Sequence, residues 1–307
     1  MRAAGRGLRT EQVVHAVRST QYSALGMFLV SLIGAASFLY PFFLPALAGV
    51  GERGGRSGVE VPLVFTALGA ACLLVLLLLV QGQASGGGRG ASKMVALLGV
   101  LVAVDATLRL IPTLLGASPI FLLIILVGYA YRASFGFLMG ALTLFASALL
   151  TGGLGPWLPY QMLGAGWVGM TAGMLPRSSD SGNRREIVAL VIFGGAWGFL
   201  YGAILNLMEW PYSAPGLDTR AGLYWVPGMS FGETTAAYWR YYLTTSLVYD
   251  AFRAGANIVL VLALGRPLLR LLDRYRSRFI WQPWTPYPNE SENHHTAESG
   301  PSVVAAR

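Results

Sequence analysis

One cysteine, three histidines and 14 acidic residues are all that this 307-residue chain offers to redox, metal or general-base chemistry. Cys72 stands alone, so no intramolecular disulfide can form. His15, His294 and His295 fall in polar terminal segments, which leaves the apolar segments without an imidazole for a metal site or a Ser-His-Asp triad. Charge is scarce as well. Charged residues make up 12% of the chain, about half the usual share for a soluble domain. Hydrophobic residues make up 54%, and the mean hydropathy is +0.56. These values place the chain among integral membrane proteins. The net charge of +8 does not gather on one candidate face, so nucleic-acid binding is not supported.

A hydrocarbon core of roughly 30 Å needs about 20 apolar residues per helix. Eight segments qualify, near residues 22–47, 61–80, 94–113, 118–131, 134–151, 158–176, 187–208 and 242–265. The second, VPLVFTALGAACLLVLLLLV, is the least ambiguous, and the fourth is short enough to be tilted or half-buried. The first is too long for a signal-peptide core and is expected to stay in the mature protein. With the N-terminus cytoplasmic, the inner segments hold 16 of the 22 basic residues. That asymmetry obeys the positive-inside rule and places both termini in the cytoplasm.

In this orientation the break TGGLGPWLPYQM, residues 151–162, faces outward, as does the aromatic connection from Glu209 to Tyr241. An interfacial belt explains many such aromatics. Non-helical backbone at membrane depth, however, is tolerated only where protein covers it or it lines a cavity. Gly152, Gly153, Gly155, Pro156 and Pro159 supply a stiff reversal, and Trp157, Tyr160 and Gln161 offer flat faces with polar tips. Such a mixture suits the wall of a pocket for an organic ligand. Asn206, Glu209 and Trp210 stand at the same expected level.

Two further patterns concern packing. Gly136/Gly140, Gly169/Gly173 and Gly194/Gly198/Gly202 recur every four residues, a stripe that lets helices approach closely and is read as internal packing. Gly99, Ala103 and Thr107 form a weaker stripe. Within the spans, Asp105 and Arg109 lie one turn apart, and Asp250 and Arg253 form a second close pair. Charges at this depth face the bundle interior and pair. An ion-pair network joining the third and eighth spans is expected, with anion binding by Arg109 as the other reading.

The stretches LRLIP (108–112), GFLMGALTLFASALLTGGLGPWLPYQM (136–162), GFLYGAILNLMEWP (198–211) and TSLVYDAFRAGANIVLVLALGRPLLRLL (245–272) together resemble the substrate-binding S component of an energy-coupling factor (ECF) transporter. The resemblance covers roughly residues 94–275. With the eight spans counted above, the chain reads as an all-α membrane protein of about eight transmembrane helices, the last six of which the resemblance identifies with the family's six-helix unit. A basic N-tail (1–21) and an N-terminal two-helix hairpin (22–93) would precede a six-helix substrate-binding bundle (94–275). A polar tail (276–307), lacking periodicity and read as disordered, would follow. The first two spans depart from the family's six-helix plan.

The resemblance also implies a vitamin-type ligand, a transmembrane coupling protein and two ATPase subunits as partners, with the prokaryotic plasma membrane as the location. Substrate contacts would fall on Trp157, Tyr160, Gln161, Asn206, Glu209, Trp210 and Arg109. Docking on the coupling protein would fall on Gly99, Ala103 and Thr107, which match the family's small-residue face loosely. Cobalamin or a precursor is the candidate cargo. No catalytic residue, metal or cofactor is expected. The chain lacks a G-x-x-x-x-G-K-[ST] phosphate loop, so ATP hydrolysis would come from the partners. The competing classes are a lipid-modifying membrane enzyme, whose metal-dependent form would need clustered carboxylates that the spans lack, and a stand-alone channel or sensor. The segment RPLLRLLDRYRSRF (266–279) reads as a basic amphipathic extension along the inner membrane surface.

Overall fold

The computed structural model describes residues 25–39, 42, 66–70, 74, 89–177, 182–210, 222–226 and 228–279. Every regular element among them is helical. An apolar helix α1 (Leu25–Leu39) and a helical segment α2 (66–70) belong to the expected hairpin, whose remainder lies outside the described residues, as do the two polar tails up to residue 24 and beyond residue 279. Then follow α3 (Arg89–Leu108), α4 (Ile120–Tyr131), α5 (Ala133–Thr151), α6 (Leu158–Ala172), α7 (Arg184–Glu209), α8 (Phe231–Tyr241), a π-helical turn (Tyr242–Ser246) and α9 (Leu247–Phe279). Helices α5 and α7, and the run from α8 through α9, are long and apolar enough to cross a membrane.

Helix α4, IFLLIILVGYAY, is apolar all round, and all 12 of its residues are buried. A helix without a polar face is either covered by other helices or faces lipid, and here protein covers every residue. It spans roughly 18 Å at 1.5 Å per residue, less than the bilayer core. The short fourth segment is therefore neither lipid-facing nor half-buried; it is the axis around which α3, α5, α6, α7 and α9 pack. A single residue, Arg132, joins it to α5, at φ 83° and ψ 172°.

Glycine makes the close approaches possible. Gly128 of α4, Gly136 of α5 and Gly169 of α6 meet backbone to backbone, and a methyl group on any of them would overlap a neighbouring chain. Gly140 lies in the same way against Ala165, and Gly173 against Ala133. On α7 the stripe faces α9: a methyl on Gly198 would strike Ala254, and one on Gly202 would strike the Asp250 carboxylate. Close contact lets polar groups of α9 reach the α7 backbone, as Asn257 Nδ2 donates to the Gly194 carbonyl at 2.9 Å. The internal-packing reading of these three stripes holds.

Beyond residue 265 the chain does not leave the bundle for the membrane surface. Helix α9 continues through Pro267, with Leu269 and Leu272 buried. The Tyr131 hydroxyl donates to the Leu272 carbonyl at 3.1 Å, and Arg177 pairs with Asp273 while donating to the Ala130 carbonyl at 2.7 Å. These contacts hold the basic extension upright. The extra α1 packs on α6, where Trp167 Nε1 donates to Ser31 Oγ at 3.0 Å and Phe38 lies edge-on to Tyr160.

Replacing Gly169 by leucine should cost about 1–3 kcal/mol or more by overpacking, and Gly99→Leu, where added atoms meet open space, about 0.5 kcal/mol or less. Thermal unfolding of both purified variants in detergent measures the difference; equal losses would refute the packing argument.

Candidate functional site

One end of the bundle, carrying the 152–157 turn, gathers most of the polar side chains singled out from the sequence. Gly152 ends α5 in the left-handed conformation (φ 67°), and its N–H bonds the Ala148 carbonyl. Pro159 lies in the first turn of α6, where its missing N–H costs nothing. Trp157 caps that helix and is 41% exposed; its ring lies over Gly155. Gln161 follows four residues later on the same face. Its N–H bonds the Trp157 carbonyl at 3.0 Å.

Arg109, just past the end of α3, donates to Ser147 Oγ at 2.9 Å and to Gln161 Oε1 at 3.4 Å. It is not paired with Asp105. That carboxylate is fully buried one turn earlier and accepts from Thr143 Oγ1 at 3.0 Å. Thr143 and Ser147 are themselves one turn apart on α5, so the α3–α5 seam carries two polar rungs. The other expected pair is present: Arg253 meets Asp250 on the same helix, and also donates to the Gly198 carbonyl of α7 at 3.2 Å. The network therefore joins α7 to α9, not the third span to the eighth. Asp250 accepts a further bond from the Tyr242 hydroxyl at 2.9 Å.

Tyr201 ties the two arginine sites together. Its ring lies 5.3 Å below the Arg253 guanidinium and edge-on to Phe121 at 4.8 Å, and its hydroxyl points at the Gln161 carbonyl at 3.5 Å. On the loop between α3 and α4, Gly116, at φ 80°, sits against the Arg253 guanidinium. Beyond Tyr242 the contacts run on through Tyr238, stacked on Tyr242 at 6.4 Å, to Trp210, 5.2 Å from Tyr238.

The other expected site residues divide. Trp210 is 1% exposed; its Nε1 donates to the Leu223 carbonyl at 2.8 Å, and its ring touches Phe42 as well as Tyr238. Asn206 donates to Ser246 Oγ at 2.7 Å. Tyr160 is 2% exposed and turned toward α1, away from open space. Glu209 ends α7, and its side chain lies outside the described residues. The long connection after it is partly helical: α8 begins at a capping box between Ser230 and Glu233. Gly99, Ala103 and Thr107 are exposed along α3, unlike the other glycine stripes.

Ser147, Tyr201, Tyr238 and Tyr242 were not foreseen. Ser147, four residues after Thr143 in an apolar helix, was a readable sign; the tyrosines resemble ordinary interfacial aromatics until the π turn brings Tyr242 onto Asp250.

A small-residue seam, a central helix buried on every side and a polar cluster beside an exposed indole are features of a membrane binding bundle. The family model "ECF transporter, substrate-specific component" matches residues 93–265. The chain belongs to that family. It is a membrane transport subunit with a substrate-binding role, not an enzyme. The family match begins at α3, leaving α1 and α2 outside it. Comparison with characterised proteins gives no match, and neither does comparison with solved structures.

Breaking the Asp250–Arg253 pair from one side should destabilise strongly, by about 3–5 kcal/mol, because a buried charge is left uncompensated. Arg253→Met alone is expected to lower the unfolding temperature more than Asp250→Asn and Arg253→Met together. A double mutant less stable than both single variants would contradict the pair.

Proposed function

We propose that this chain captures a vitamin or related micronutrient at the Trp157 end of the bundle, which faces the cell exterior, and hands it to an ECF importer. The observation that carries this reading is the Arg109–Ser147–Gln161 cluster, partly open beside an exposed Trp157 in an otherwise apolar protein. Polar side chains in a membrane bundle are costly and mark sites of function. Trp157, Gln161 and Arg109 are the primary contacts. Asn206 is a further contact, Trp210 and Tyr160, 1% and 2% exposed, support the site from behind, and the Glu209 side chain lies outside the described residues.

Members of this family work with a transmembrane T component and ATPase subunits. The exposed Gly99–Ala103–Thr107 strip of α3 suits the coupling protein, because small residues let another helix come close. The charge asymmetry of the loops supports cytoplasmic termini, and the family supports residence in a prokaryotic plasma membrane. The domain plan follows: α1 and α2 form an appended hairpin, and the bundle from α3 to α9 holds the cargo. The case for cobalamin or a precursor rests on the size of the 209–241 connection, which lies partly outside the described residues, and no described side chain favours it over a smaller vitamin.

The protein purified from cells grown in rich medium should carry a small molecule identifiable by mass spectrometry. Trp157→Ala should lower its retention about 10- to 100-fold, the loss of one large apolar contact worth about 1.5–3 kcal/mol, with membrane insertion unchanged. Full retention by a folded Trp157→Ala protein would move the pocket elsewhere. Separately, Ala103→Trp should abolish co-purification with ATPase subunits while leaving the bound molecule in place.

A further inference from the structure

The arginines inside this bundle are not treated alike. Arg253 is neutralised by Asp250, and Arg177, at the opposite end, by Asp273. Arg109, partly buried, has neutral partners: the Ser147 hydroxyl and the Gln161 amide oxygen. Among the described residues no carboxylate lies within ion-pair distance of it. The acid closest in sequence, Asp105, is committed to Thr143, and its other oxygen is enclosed without a hydrogen-bond partner.

The Ser147 hydroxyl is also fixed in advance. Ser147 gives its own proton to the Leu144 carbonyl at 3.0 Å, so a lone pair faces the guanidinium. Gln161 is held in the first turn of α6 by its N–H bond to Trp157. A guanidinium withdrawn from water without an anion costs several kcal/mol, and hydroxyl and amide oxygens offset only part of that. It retains N–H donors arranged in a fork that matches a carboxylate.

Resting on the substrate-binding reading of this same site, we propose that the missing counter-ion is the cargo: a small organic anion bearing one carboxylate, held by Arg109, with its apolar body against the exposed face of Trp157. The charge balance selects the class. Among the described residues Arg109 is one uncompensated cation, and it matches one negative charge. A phosphate monoester, carrying about −1.5 to −2 at neutral pH, would leave excess negative charge in a low-dielectric site. Arg253 does not compete for the anion, because Asp250 already neutralises it.

The test uses the full chain in lipid nanodiscs, with thermal unfolding as the readout and the cationic, neutral and anionic fractions of yeast extract as probes. The anionic fraction is also applied after phosphatase treatment and after methyl esterification. Stabilisation is expected from the anionic fraction, insensitive to phosphatase and lost on esterification. Arg109→Gln should need at least tenfold more of that fraction, with Arg109→Lys in between. Without ligand, Arg109→Gln should unfold at the wild-type temperature or above, since an uncompensated cation has been removed. Stabilisation confined to the neutral or cationic fraction, or abolished by phosphatase, would overturn the carboxylate assignment and leave the binding role standing. So would unliganded Arg109→Gln protein that unfolds several degrees lower, which would make Arg109 a structural residue. If no fraction stabilises the wild type, the binding role falls, and this inference with it.

Discussion

Backbone contact at glycine is the constraint on which the rest of this structure depends. In a bilayer, apolar side chains gain little by leaving lipid for protein, so helix association relies on close packing and on polar contacts between helices. Gly128, Gly136 and Gly169 bring three helices together at one point, and the all-apolar α4 is enclosed as a result. With α4 fixed as the axis, α7 and α9 close the other side through Gly194, Gly198 and Gly202, which also bring the α7 carbonyls within reach of Asn257 and Arg253.

The same packing sorts the polar groups. Each buried side chain has to find its partner within protein, because the hydrocarbon provides none. Asp250 is satisfied from two directions, by Arg253 and Tyr242, and Asn257 reaches a backbone carbonyl through Nδ2 while its Oδ1 stays without a partner. These groups hold helices together. Along the α3–α5 seam the matching is incomplete: Asp105 keeps an unpartnered oxygen, and Arg109 meets neutral acceptors. Arg253 and Arg177, partly buried like Arg109, are each paired with a carboxylate, whereas Arg109 is not among the described residues.

The two kinds of small-residue stripe show how position decides role. Gly136 and Gly198 are buried against neighbouring backbones, whereas Gly99, with the same four-residue spacing to Ala103, meets open space. Spacing alone does not separate them, since a glycine looks the same whether its neighbour is a helix of the same chain or lipid. The capping box of Ser230 and Glu233 was legible in principle as a helix start. It was hidden by the Gly, Pro and aromatic residues around it, which read as loop.

Composition and hydropathic runs were enough to read an all-helical membrane protein, and the glycine spacing its close helix contacts, because these depend on local periodicity and on the cost of placing charge in lipid. Partner choice was not local. That Arg109 meets Ser147 and Gln161 instead of Asp105, that Tyr160 serves α1, and that the basic end of α9 stays upright beside Arg177 are all decided by neighbours distant in the chain. Helical spacing says which residues share a face; only the assembled bundle says what that face meets.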